Sequence, residues 1–493
     1  MSARPFSYAQ LGATLLAGLT LRLYFIWHFP FYSGDTKFYE ELAQNWLYHG
    51  VYGLYVRGAL TSVDMRVPGY PAFLAVIYFA IGRSARTVMV VQALVDLGTC
   101  VLTALIAARL APPARRTIVG TAALWLAALG PFTANYTAVV LTEALATFFT
   151  ALAVLVFIHV LTEPMFDLPT ADTVAAASRR KVLSLAGWFL LLGFIVGLGT
   201  LVRPETPLVL AAAGIALCLR WRRIADWPKL ILATCWMCVG LLLPLAPWAA
   251  RNARTLGRVE FLGPRYAQTY GDFIPRGFFA WTRTWTVRFS DAYLVDWRLG
   301  KQPIHIETFP GAAFDSDAER TRVAELLAQY NRDLRMTPSL DRGFAVLAAE
   351  RTARRPWRTY LTVPAERVAA MWFTPRIESL PYSGKLWPPG EKWRGNPADF
   401  GVTLGFGILG FVYAGLALAG WWRCRAQWAA TFLVLFLAIR TVAMTQLQTV
   451  EPRYVIECFP VVLALGALVW AVPWRRSAAT SDALPSAPDA ARG

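Results

Sequence analysis

The sequence predicts an all-α integral membrane protein, and three observations carry that prediction. Of 493 residues, 56% are hydrophobic and 16% charged, whereas a soluble domain carries roughly a quarter charged residues. Mean hydropathy is +0.42, and apolar runs of the roughly 20 residues needed to cross a bilayer recur along the chain. In lipid every backbone N–H and C=O needs an internal partner, which makes these runs helices rather than open strands. The formal net charge of +17 sits mostly in short basic clusters between the runs. There it sets topology and meets anionic headgroups; no nucleic-acid partner is expected.

The first run, residues 9–28, follows Arg4 and ends without a small-residue cleavage site, so it reads as an anchor with a cytoplasmic N-terminus. Further spans are expected at 87–108, 117–134, 142–162, 182–201, 207–220, 229–249, 401–421, 427–446 and 454–473, about ten in all. Alternating them puts Arg109/Arg115/Arg116, Arg179/Arg180/Lys181, Arg220/Arg222/Arg223, Arg423/Arg425 and Arg475/Arg476 on the inner side, as the positive-inside rule asks. Residues 29–86, the 250–400 region and the turn "QTVEPRY" are left outside, and both termini inside. Within the first outer loop, "PGYPAFLAVIYFAIG" (68–82) is headed by two prolines and short for a span; it suits an interfacial or re-entrant helix.

The resulting division is a transmembrane core over 1–249 with its outer loop 29–86, an outer module over 250–400, C-terminal spans over 401–476 and a disordered tail over 477–493. In the module, "TRVAELLAQYNRDLR" has helical periodicity, and "WRTYLTVPAERVAAMWF" mixes aromatics with arginines like a surface-lying helix. No internal repeat of the kind that marks many transporters is visible. Cys100, Cys218, Cys235, Cys238, Cys424 and Cys458 lie in or beside apolar runs, so no disulfide framework is expected, and the "CWMC" at 235–238 reads as core packing. His28, His49, His159 and His305 are scattered without ligand spacing.

This topology sorts the ionisable residues at the ends of runs onto one face. Asp35 and Arg66 lie in the first outer loop, Glu143 opens a span in "VVLTEALATFF", and Arg203 and Glu205 share the turn "TLVRPETP". Arg251 and Asn252 follow "PLAPWAA", and Glu451, Arg453 and Tyr454 occupy the last outer turn. A carboxylate among arginines suits a reaction with a phosphate leaving group: guanidinium forks bind phosphate oxygens, while the carboxylate takes a proton from an attacking hydroxyl. A sugar linked to a lipid phosphate fits, its headgroup at the surface and its tail between spans.

In order, "GDTKFYEELAQNWLYHGVY", "RVPGYPAFLAVIYFAIG", "LTEALATFF", "GLGTLVRPE", "PLAPWAARNARTLG" and "EPRY" resemble the bacterial membrane glycosyltransferases of the GT-C fold. These are relatives of the protein O-mannosyltransferases, the aminoarabinose lipid A transferases and the lipopolysaccharide-core galacturonosyltransferases. The resemblance covers residues 10 to about 260 and the last outer turn. It implies a polyprenyl-phosphate sugar donor, a lipid, glycan or protein acceptor, and reaction on the periplasmic side of the bacterial inner membrane. It also implies that Asp35 is the catalytic base, with Tyr39 one helical turn on. Relatives commonly carry an acidic residue directly after this Asp; here it is Thr36, which removes support for a metal bound by a paired carboxylate, so no cofactor is assigned and a divalent metal stays open without support. The large outer module precedes the last spans here, unlike relatives whose soluble domain ends the chain.

Each candidate has a second reading at this level. Asp35 is either the base or a helix N-cap, and Arg66 either touches substrate or anchors to headgroups. Glu143 either faces substrate or pairs with Arg203. Arg203 and Arg251 either support Arg453 on the donor phosphate or snorkel. Arg22, inside the first span, either has a buried partner or snorkels. Glu451 and Tyr454 share the turn with Arg453. The rival class is a lipid-linked sugar flippase or transporter, which would place its polar groups at the midplane on broken helices.

Overall fold

A computed structural model describes residues 5–162, 178–263 and 273–471. Arg4, the Arg475/Arg476 cluster and the expected tail over 477–493 lie outside the described residues. Among the described residues eight helices are long and apolar enough to cross a membrane: Tyr8–His28, Ala85–Leu110, Glu143–Thr162, Leu183–Val202, Trp227–Leu256, Pro397–Cys424, Trp428–Thr445 and the run Pro452–Ala471. The expected all-α membrane architecture is what the chain has. The one sheet described is a hairpin, Gly53–Val56 against Ala59–Ser62, closed by Arg57 and Gly58, both at positive φ. That is the two-residue turn whose twist matches paired strands.

Two expected spans have a different form. Residues 117–134 break into Arg116–Ala128 and Pro131–Tyr136: Pro131 lacks an N–H, and the residue before a proline is disfavoured in the helical region. The last run begins as a 3₁₀ helix, Pro452–Cys458, before the α-helix Phe459–Ala467. Pro452 and Pro460 sit where a first turn tolerates a missing N–H. The helices Leu208–Arg220, over the expected span 207–220, and Gly69–Ala80, over 68–82, are shorter apolar helices. At 1.5 Å per residue the 12 residues of Gly69–Ala80 reach only about 18 Å, short of a ~30 Å hydrocarbon core.

Helix Ser178–Val202 lies against Trp227–Leu256 through small residues. A Cβ on Gly193 would come within 2.1 Å of the Met237 carbonyl oxygen, and one on Gly240 within 2.2 Å of the Leu190 carbonyl oxygen. Glycines spaced this way let two backbones approach in lipid, where packing replaces the hydrophobic drive. Arg22 has its partner: Nη2 and Nε donate to Asp96 Oδ2 at 2.5 and 2.8 Å, and Nη1 donates to the Gly18 and Ala128 carbonyls at 2.8 Å. It does not snorkel; an intramembrane charge is tolerated because every donor is taken.

Of the five predicted inner clusters, those at Arg109, Arg220 and Arg423 gather at one end of the bundle; the side chains of Arg179, Arg180 and Lys181, like Arg475/Arg476, lie outside the described residues. Arg109 lies 2.5 Å from His159, Gln427 donates to the Leu110 carbonyl at 3.1 Å, Arg220 stacks over Trp428 at 5.5 Å, and Arg423 bonds the Val469 carbonyl. At the opposite end stand the first loop and the 276–373 helices. The latter have their own core around Phe278, Trp281, Phe344 and Leu347, all fully buried. Asp317–Asp333 is helical as its periodicity predicts, and "WRTYLTVPAERVAAMWF" forms a π turn, Arg358–Thr362, running into the helix Val363–Phe373. Buried Arg367 ties this module to the last turn, donating to the Thr286, Thr445 and Leu447 carbonyls at 2.8, 2.8 and 3.1 Å.

Candidate active site

Asp35 occupies the first turn of the helix Gly34–His49, but it is not the N-cap; Ser33 is. Thr36 Oγ1 accepts from the Ser33 N–H at 3.2 Å and donates to the Val140 carbonyl at 3.1 Å, pinning the helix start to the segment before Glu143. The carboxylate of Asp35 is thereby left free to meet side chains. Arg66, two residues beyond buried Asp64, donates to Asp35 Oδ1 at 3.0 Å, and Arg453, 418 residues away in sequence, reaches Oδ2 at 3.5 Å. Burial pushes the Asp35 carboxyl up, but Arg66 and then Arg453 outweigh it and hold it below the usual carboxylate range. It is ionised at neutral pH.

Around this pair the last turn and two span ends converge. Arg453 Nε lies 2.6 Å from Glu451 Oε2 and Nη1 lies 3.5 Å from Glu143 Oε1. Arg203 Nη1 stands 3.5 Å from both Glu143 Oε1 and Glu457 Oε1, without a well-directed hydrogen bond to either. Tyr454 donates to Glu451 Oε1 at 2.9 Å, and the Arg203 guanidinium lies 5.7 Å from the Tyr454 ring. Tyr39 packs edge-on to Tyr70 at 5.1 Å. So Asp35, Arg66, Glu143, Arg203, Glu451, Arg453 and Tyr454 form one cluster, with Tyr39 at its wall, and the Glu143–Arg203 pairing exists within it rather than instead of it.

Within the cluster Arg453–Glu451 and Arg66–Asp35 close to 2.6 and 3.0 Å, whereas other pairs stand further apart than the ion pairs that hold the bundle. Arg22–Asp96 and Arg440–Glu457 close to 2.5 Å, the range of a charge-assisted hydrogen bond or tighter. Arg203 and Arg453 sit 3.5 Å from Glu143, and Arg453 sits 3.5 Å from Asp35. Their donors are held near carboxylates without being saturated, which leaves capacity for an incoming anion.

Two cavities meet at this cluster. One, of about 590 Å³, reaches from Asp35 and Tyr39 past Arg203 to Tyr454. The other, of about 540 Å³, runs from Asp35 toward Tyr293, Asp296 and Glu378. Asp35, Arg66, Glu451 and Arg453 line both.

Arg251 is not brought to this cluster. Its Nη1 donates to the Val63 carbonyl at 2.8 Å and its Nη2 to the Tyr52 carbonyl at 2.7 Å, with Trp248 and Tyr52 rings against the guanidinium. It fastens the long helix Trp227–Leu256 to the hairpin. Sequence reasoning missed Glu457 and Arg440, both fully buried, with Thr150 donating to Glu457 Oε2 at 2.9 Å. A charge inside an apolar run was the signal that could have found them. Asp296 and Glu378 carried no local signal. Among the described residues no three His, Cys, Asp or Glu side chains are grouped to hold a metal.

No family model matches the chain, and no curated protein does. Among solved structures, the oligosaccharyltransferase AglB of Archaeoglobus fulgidus, in complex with an inhibitory peptide and a dolichol-phosphate, aligns over 94% of this chain and 49% of its own, with 14% identity and a TM-score of 0.47. ArnT of Cupriavidus metallidurans bound to undecaprenyl phosphate aligns over 94% of this chain and 78% of its own, with 13% identity and a TM-score of 0.38. The chain thus spans about half the length of the archaeal protein. Likenesses this remote do not carry chemistry, which has to come from the cluster itself.

Proposed function

We propose that the protein is a membrane glycosyltransferase that moves a sugar from a polyprenyl-phosphate donor to an acceptor hydroxyl with inversion, Asp35 serving as general base. One observation carries this reading: Asp35 stands at the shared wall of two cavities, flanked by Arg66 of its own loop and by Arg453 from the opposite end of the chain. Two substrates need two cavities, and the proton acceptor belongs where they meet.

The donor phosphate is assigned to the cavity bearing Arg203 and Arg453, with Arg66 at its edge. In the transfer the acceptor oxygen bonds to the anomeric carbon while the bond from that carbon to the phosphate oxygen breaks. The electron pair leaves with the phosphate, which gains a negative charge, and the hydroxyl proton passes to Asp35. Fixed guanidinium charge in a low-dielectric site stabilises the growing dianion. One carboxylate suffices for direct displacement, since a covalent route needs a second as nucleophile.

Arg453 couples the two events. A phosphate that draws Arg453 from Asp35 removes one cause of the depressed carboxyl pKa and adds negative charge nearby, so the base strengthens when the donor arrives. Both oxygens of Asp35 face guanidinium groups, so charge neutralisation is assigned to arginines rather than to a metal. The reading places the protein in the bacterial inner membrane, with Asp35 on the periplasmic side and both termini in the cytoplasm.

Binding of a polyprenyl phosphate to purified protein tests the assignment. Arg453→Ala removes hydrogen bonds to a charged group, worth about 1.5–3 kcal/mol, or roughly ten- to a hundredfold in affinity. Arg453→Lys keeps the charge but not the fork and recovers only part of it. Unchanged affinity in Arg453→Ala removes Arg453 from the donor site. Movement of the donor across a vesicle membrane without sugar transfer favours the flippase reading instead.

A further inference from the structure

The second cavity is chemically unlike the first. Part of its wall is built by the short helix Phe289–Leu294 and the turn after it, where Phe289, Tyr293 and Trp297 form a ring cluster with centroids 4.1–5.4 Å apart. Tyr293 and Trp297 keep 49% and 41% of their surfaces exposed, so these are open faces and not a closed core. Asp296, Glu378 and Ser379 line the same cavity as Asp35.

Their polar atoms are incompletely used. The Ser379 hydroxyl is buried without a hydrogen bond, and the buried oxygens of Asp296 have Gln448 beside them without a well-directed bond. Glu378 accepts one bond, from the Tyr136 hydroxyl at 2.6 Å. Buried polar groups without partners are uncommon in folded proteins, and each calls for a physical reason. Burial pushes the Asp296 carboxyl up to about 7, against opposing pulls from Gln448 and Arg367, so near neutrality it both donates and accepts.

We infer that this second cavity is the acceptor subsite and that it takes a neutral sugar residue, its C–H face against Tyr293 and Trp297 and its hydroxyls on Asp296, Glu378 and Ser379. The inference rests on the glycosyltransferase reading and names the acceptor class within it. A pyranose has a face of weakly positive C–H bonds that suits the negative face of an aromatic ring, and an edge of hydroxyls that need both donors and acceptors. An acyl chain would leave the buried carboxyls unsatisfied. A phosphate acceptor would meet Asp35, Asp296, Glu378 and Glu451 against only Arg66, Lys301 and Arg453, a balance that offers an anion no advantage.

Saturation-transfer NMR on the full-length protein, with a panel of methyl hexosides and methyl pentosides as probes, tests this directly. At least one glycoside should bind the unmodified protein, with saturation strongest on the C–H protons of one ring face. Trp297→Ala should weaken that binding by about tenfold, the loss of a stacked ring, Trp297→Phe should retain most of it, and Asp296→Leu, which neither donates nor accepts, should weaken it while the protein stays monodisperse. No binding by any glycoside, equal binding to Trp297→Ala, or preference for a Ser/Thr peptide or an acyl probe overturns the assignment. Polyprenyl phosphate binding by the unmodified protein is measured in parallel. Its absence defeats the donor reading, whereas its presence without glycoside binding defeats the subsite alone.

Discussion

Replacing Asp35 by Asn keeps the side-chain shape and removes its ability to accept a proton. Two magnitudes separate a catalytic role from a structural one. The structural loss is small, because Ser33 and not Asp35 caps the helix. The ion pairs to Arg66 and Arg453 are part-exposed, the carboxyl side chain keeping 31% of its surface, which limits such pairs to about 1 kcal/mol or less. Loss of the negative charge beside the helix N-terminus adds about 0.3–1 kcal/mol. The chemical loss is large, since a positioned general base contributes about a hundred- to ten-thousandfold, or roughly 3–5 kcal/mol of barrier. The assay is transfer from a radiolabelled polyprenyl-phosphate sugar by purified protein, with donor affinity and thermal midpoint measured alongside. Asp35→Asn should fold, bind donor at least as tightly and transfer almost nothing. The pH dependence gives a second reading. The folded pKa of Asp35 is depressed, so the charged form and the stability it contributes are present above the ordinary carboxylate pKa and are lost as pH falls through the folded value. The acidic limb of kcat/KM, which reports the free enzyme, should therefore lie below the ordinary carboxylate range. That of kcat should lie higher if, as proposed, bound donor draws Arg453 away. Near-normal turnover in Asp35→Asn refutes the base assignment.

Other substitutions separate scaffold from site. Glu457→Ala leaves Arg440 buried without its carboxylate and should cost about 3–5 kcal/mol of stability, read as poor recovery of monodisperse protein; a variant as stable as the parent contradicts the pairing. Arg251→Ala strips the Val63 and Tyr52 carbonyls of a donor and should lower stability by about 1–3 kcal/mol with donor affinity unchanged. Loss of donor affinity at full stability would return Arg251 to the phosphate site. For topology, a membrane-impermeant thiol reagent applied from the periplasmic side to a cysteine-free background should label Asp333→Cys and not Arg222→Cys, and the reverse pattern defeats the periplasmic placement.

The sequence by itself determined the membrane class, the position of most helices and the sorting of charges to two ends, because all three follow from local quantities: the hydropathy of a run, its length and the basic residues beside it. It also determined that an acid in the first loop and an Arg in the last turn belong to one face. Where local chemistry competed with hydropathy it misled: Gly130–Pro131 breaks a run that composition alone reads as continuous. Arg203 and Arg251 look alike in sequence, each a guanidinium at a span end. Only the tertiary structure decided that Arg203 meets Glu143 of the neighbouring helix while Arg251 binds the carbonyls of a hairpin. Asp296 and Glu378 acquire their meaning solely from the module that folds them over Asp35. A partner hundreds of residues away is set by how helices pack, and no window along the chain contains that information.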